Sequence, residues 1–115
     1  LKENLNSQQS VSKFLKKFSK KINLIQGNSN SILRNLDIKN VDFVFLDGGH
    51  SFETVFEDLN LIYKKISDNK GAIILCDDYE DSSYITGVKK AVDTFVQKNS
   101  LKFEIVEKRF AKIII

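Results

Sequence analysis

Two short apolar runs, each halted by acidic residues and separated by a long amphipathic stretch, constrain this chain more than any other feature. Val41 to Leu46 is rich in β-branched and aromatic residues, lacks strict alternation, and stops at Asp47-Gly48-Gly49-His50. Ala72 to Cys76 is a second such run and stops at Asp77-Asp78-Tyr79. Strands apolar on both sides belong to a parallel sheet covered on both faces. Between them Phe52, Val55, Phe56, Leu59, Ile62, Tyr63 and Ile66 keep helical spacing, with Ser51 placed to cap the helix. Strand, helix and strand in that order form a crossover unit, which is right-handed.

The alternation continues in both directions. Val11, Phe14, Leu15 and Phe18 predict a helix beginning at Ser7, and Ile22 to Ile25 predicts a short strand ending at Gln26-Gly27-Asn28-Ser29. Ile32, Leu33 and Leu36 predict a brief helix capped by Ser29 or Ser31. Downstream, Ile85, Val88, Ala91, Val92, Phe95 and Val96 predict a helix ending near Asn99. Lys102 to Val106 and Phe110 to Ile115 read as two strands, and the turn at Glu107-Lys108-Arg109 is too short for anything but an antiparallel return. The expectation is a single α/β domain over residues 1–115, its sheet mainly parallel with an antiparallel C-terminal strand. Ligands of such sheets bind beyond the carboxyl ends of the strands. Asn28, Asp47 and Asp77 therefore face one crevice.

Charge is segregated along the chain. Residues 41–84 hold ten acidic residues against three basic ones, although the whole chain carries a formal charge of +3. Lys13, Lys16, Lys17, Lys20 and Lys21 lie on the first helix and its exit without interleaved aromatic platforms, which reads as a solvated face and not as a nucleic-acid surface. The single Cys76 excludes an internal disulfide. No run approaches the roughly 20 apolar residues that span a bilayer, so a soluble, cytoplasmic protein without membrane partners is expected. The absence of methionine and the start at Leu1 predict that the sequence is not a complete translation product.

Three converging carboxylates repel one another and call for a counter-charge. That favours a ligand at Asp47, Asp77 and Asp78 over the plainer readings, a helix-capping turn acid and a solvated strand end. His50 carries an imidazole, a side-chain type suited to a general base, while a structural hydrogen bond beside a helix start is its bland alternative. Tyr79 either lines a substrate pocket or packs against the loop.

Val-Asp-Phe-Val-Phe-Leu-Asp-Gly-Gly-His-Ser-Phe-Glu (41 to 53), Gly-Ala-Ile-Ile-Leu-Cys-Asp-Asp-Tyr (71 to 79) and Gly-Val-Lys-Lys-Ala-Val-Asp-Thr-Phe (87 to 95) together resemble the class I S-adenosylmethionine-dependent methyltransferases. Within these they are most similar to the group that includes macrolide sugar O-methyltransferases. The resemblance implies a Rossmann-like sheet of strand order 3-2-1-4-5-7-6, with Mg²⁺ held by Asp47, Asp77 and Asp78. It implies cofactor contacts from Gly27, Asn28, Ser29, Asp47 and Gly48, and catalytic duty for His50 and Asp47 toward a small hydroxylated substrate. Asn28 stands where relatives carry the acid that contacts adenine, and an amide oxygen can accept the same bond.

The family's glycine-rich turn and ribose-gripping acid have no counterpart here beyond Glu3, so the first one or two strands are expected to be lacking. On that expectation the third strand either pairs directly with the fourth or leaves the N-terminal part loosely attached, and cofactor binding by these residues alone is poor. Two rival readings are a metal-dependent nucleotide-sugar transferase and a truncated, non-catalytic binding module. Homo-oligomerisation stays open. The metal scheme requires the carboxyls of Asp47 and Asp77 to share one rim, within about 10 Å.

Overall fold

The computed structural model describes residues 7–80 and 87–115. Glu3 and Ile85 lie outside the described residues. In chain order the elements are α1 (Gln8–Phe14), a 3₁₀ turn (Lys16–Phe18), α2 (Ser29–Asn35), β1 (Phe43–Leu46), α3 (Phe52–Ile66), β2 (Ile73–Cys76), α4 (Gly87–Asn99), β3 (Lys102–Val106) and β4 (Phe110–Ile114). Among the described residues, no helix is long and apolar enough to cross a membrane.

The four strands form one mixed sheet of order β1-β2-β4-β3. β1 pairs in parallel with β2, while β4 runs antiparallel to both β2 and β3. Three strands therefore share one direction and β4 alone opposes them, as expected for an antiparallel C-terminal strand.

α3 forms because Ser51 caps it, its hydroxyl accepting from the Thr54 N–H at 3.2 Å, and because Glu53 and Lys64-Lys65 complement the helix dipole at opposite ends. It buries Val55, Leu59, Ile62 and Ile66, and α4 buries Val88, Ala91, Val92, Phe95 and Val96. Tyr63 meets Phe95 edge-on at 5.6 Å where the two helices pack. Beneath them Val44, Ile74 and Ile113 stand in register across β1, β2 and β4, followed one pleat on by Leu46, Cys76 and Ala111. Residues directly opposite on paired strands point to the same face, so these side chains form the floor of the core.

The structure departs from the sequence expectation at four places. The sheet was expected to be covered on both faces, yet Phe43 and Phe45 on the other face of β1 remain 54% and 51% exposed. Ile22 to Ile25 forms no strand. A four-residue run needs a neighbouring strand to satisfy its backbone, and residues 22–25 do not pair with β1 or with any strand of the sheet. α2 starts at Ser29 with Asn28 as its cap, the Asn28 side chain accepting from the Asn30 N–H at 3.0 Å, in place of the expected Ser29 or Ser31. The first helix also ends early, at Phe14, and Phe14 and Phe18 stay exposed.

The β3–β4 turn closes with the Arg109 N–H donating to the Val106 carbonyl at 3.1 Å, and both central residues, Glu107 and Lys108, sit at φ 54°. Left-handed backbone costs a non-glycine residue roughly 1–2 kcal/mol, and Asn-Gly is the pair that suits two such positions. The double substitution Glu107→Asn/Lys108→Gly is expected to stabilise the chain by about 1–2 kcal/mol. Urea unfolding checks this: a midpoint at or below that of the parent chain would show that the turn carries no such strain.

Candidate functional site

The parallel register of β1 and β2 determines where the acids emerge. Leu46 pairs with Cys76, and the Asp77 N–H extends the ladder one step by donating to the Leu46 carbonyl at 3.0 Å. Asp47 and Asp77 thus leave adjacent strand ends side by side. Asp78 then turns the chain in the left-handed region at φ 62°, which Asp tolerates better than most residues. Its N–H donates to Asp77 Oδ1 at 2.7 Å. As a result one carboxylate oxygen from each of Asp47, Asp77 and Asp78 lies within 4.8 Å of the others, with Asp47 exposed and the other two buried.

Two cationic or titratable groups border this cluster. His50 Nε2 lies 3.2 Å from Asp78 Oδ2. Arg109, at the exit of the β3–β4 turn, grips Asp77 with both arms: Nε donates to Oδ1 at 2.5 Å and a terminal nitrogen donates to Oδ2 at 2.9 Å. The same guanidinium stands 3.6 Å from Asp78. Hydrogen bonding from Arg109 holds the Asp77 carboxyl below the ordinary carboxylate range, against a smaller upward push from burial and with further help from the Asp78 N–H. The counter-charge demanded by the converging acids is supplied from within the chain.

Sequence reasoning missed Arg109, and the signal for it was register. In the antiparallel β2–β4 pair Cys76 faces Ala111, so the residues after one strand oppose the residues before the other. It also missed Asp58, which lies on the inner stripe of α3, one turn beyond Val55, and is only 1% exposed. An acid at that position of an apolar stripe is itself the clue. Asp58 accepts from the Ser29 hydroxyl at 2.7 Å and from the Asn30 side-chain amide, which ties the start of α2 to α3.

The structure gathers Asp47, Gly48, His50, Asp77 and Asp78 around one small cleft, with Asp58 also in its lining. Ser29 joins this group through Asp58, whereas Gly27 lines a separate hollow with residues of α1. Gly27 has φ 150°, and a Cβ there would meet Ile32 at 3.0 Å. The Asn28 side-chain oxygen is engaged in capping, although an amide oxygen keeps a second lone pair. Tyr79 is buried, its hydroxyl donating to Asp93 at 2.6 Å and its ring edge-on to Phe103, so it packs and does not line the cleft. Burial pushes the Cys76 thiol up to about 12, which removes it as a nucleophile at neutral pH.

Gly87 explains why the third motif begins with glycine. A Cβ there would fall 1.7 Å from the His50 carbonyl oxygen, so the first turn of α4 rests directly on the loop that carries His50.

A protein-family model described as a methyltransferase domain matches residues 2–79, a span that includes all three acids, His50 and Asp58 but not Arg109. An uncharacterized protein of Acanthamoeba polyphaga mimivirus is 36% identical over 72 residues, the match covering 57% of this chain and 32% of that protein. The chain thus spans about a third of the length of this relative.

Gly87→Ala is expected to destabilise the chain by about 1–3 kcal/mol through overpacking. Gly48→Ala, where the nearest atom is 4.0 Å away, should be nearly neutral. Equal melting temperatures for the two variants would contradict the close approach. The Asp77–Arg109 pair also makes a pH-dependent contribution. Because the folded carboxyl titrates below its unfolded value, the pair's stabilisation is complete above about pH 4 and disappears as pH falls through the lower folded value. Urea unfolding of the parent chain and Asp77→Asn between pH 2 and 6 should therefore show a stability gap that narrows only at the acidic end. A gap that is constant with pH would refute the pairing.

Proposed function

The chain belongs to the methyltransferase domain family, and from that premise we propose that it serves S-adenosylmethionine-dependent O-methylation of a small hydroxylated substrate, assisted by a divalent cation. The observation that carries this reading is the clustering of oxygens from Asp47, Asp77 and Asp78 within 4.8 Å at the carboxyl ends of two parallel strands. The sheet order supports it. β1-β2-β4-β3 with β4 reversed corresponds to the 4-5-7-6 run of the class I methyltransferase sheet, and the free edge of β1 is where that sheet's first strand would pair.

The donor set fits the proposed ion, since three hard carboxylate oxygens suit Mg²⁺, which keeps several of its waters. When bound, such an ion supplies Lewis acidity that lowers the pKa of a substrate hydroxyl. The chain's own residues do the rest. Asp78 orients the His50 ring, Nε2 lying 3.2 Å from Oδ2, and the role of this imidazole in the present reading is general base toward the substrate hydroxyl. Asp47 and Gly48, at the end of β1, are the residues that would face the methyl donor in this reading. In this reading Asn28, in the loop that Ser29 ties to Asp58, is the residue assigned to the adenine, through the lone pair that capping leaves on its side-chain oxygen.

The test is transfer of tritiated methyl groups from S-adenosylmethionine to a panel of sugars and phenols in the presence of Mg²⁺. His50→Ala is expected to lower the rate by roughly 10²-fold or more, and Asp47→Asn to remove the dependence on Mg²⁺. In parallel, millimolar S-adenosylhomocysteine should raise the melting temperature. A rise with a uridine diphosphate sugar and none with S-adenosylhomocysteine would overturn the methyltransferase reading in favour of a nucleotide-sugar transferase.

A further inference from the structure

We propose that Arg109 is a built-in competitor for the cation site, so that a divalent ion settles among the three acids only as the guanidinium leaves Asp77. This rests on the metal-assisted reading above and adds a residue beyond the span matched by the family model. Three observations lead to it.

The first is occupancy. Arg109 uses the planar fork of its guanidinium on both oxygens of Asp77, at 2.5 and 2.9 Å, and reaches to 3.6 Å from Asp78. A cation bound to those same oxygens would sit beside a fixed positive charge in a poorly solvated corner, where like charges repel strongly. The second is exposure. The Asp77 and Asp78 side chains are almost wholly enclosed, whereas that of Arg109 is 57% exposed, so the positive partner of this corner is the one that solvent already reaches.

The third is a hold that does not depend on Asp77. The guanidinium carbon lies 5.5 Å from the centre of the Phe110 ring, a cation–π contact made alongside the grip on Asp77. The Arg109 backbone stays anchored throughout, its N–H donating to Val106 and its carbonyl accepting from Tyr79 at 3.0 Å. The competition therefore concerns one side chain, with the hairpin in place.

Mn²⁺ is the probe, titrated into the 115-residue chain at constant ionic strength while its free-ion paramagnetic resonance signal is followed. Arg109→Gln is expected to bind Mn²⁺ about 10-fold or more tightly than the parent, because loss of one charge-assisted bidentate pair frees Asp77. Arg109→Lys, which keeps the charge without the fork, should fall between them and guards against an unfolded variant. Asp77→Asn should abolish binding in both backgrounds. Equal or weaker binding by Arg109→Gln would overturn the competition while leaving the cation reading intact. No binding by any variant at millimolar Mn²⁺ would overturn both.

Discussion

The in-register parallel pairing of β1 with β2 is the constraint on which the rest of this molecule depends. With Leu46 opposite Cys76, the two strands end level with each other, and the acids that follow are delivered to one rim. A shift of the register by one residue would turn every side chain of a strand to the opposite face, exchanging the buried Ile74 and Cys76 for Ile73 and Leu75. Burial of the core and assembly of the site are thus enforced by the same hydrogen bonds. That coupling explains how carboxylates that repel one another are held together: the strands they terminate are held by the packing of α3 and α4.

Much of this was legible in the sequence because the relevant signals are local. β1, α3, β2 and α4 each announce themselves by periodicity, and the acids after the two apolar runs follow from where those runs stop. The hairpin of β3 and β4 followed from the shortness of its turn. What escaped notice depends on pairing between distant segments. Arg109 reads as one more surface cation until β4 is laid against β2, and Asp58 reads as a polar residue on a helix until the Ser29 and Asn30 side chains arrive to meet it. Ile22 to Ile25 failed in the opposite sense. Its residues suit a strand, but a strand exists only with a partner, and β1 leaves that edge unpaired.

The outer side of β1 has its own meaning. Among the described residues the outer edge of β1 is unpaired and flanked by Phe43 and Phe45, both half exposed, which is what folded proteins normally cover, shorten or charge. Here the strand is only four residues long, which limits the template it offers.

The left-handed backbone at Asp78 separates the shape of the site from its charge. The bend that turns this side chain toward its neighbours resides in the main chain, at a residue whose amide would adopt the same conformation as its acid. The orientation of the Asp78 carboxylate is consequently settled during folding by the main chain, and a change of charge at this position leaves the bend itself in place.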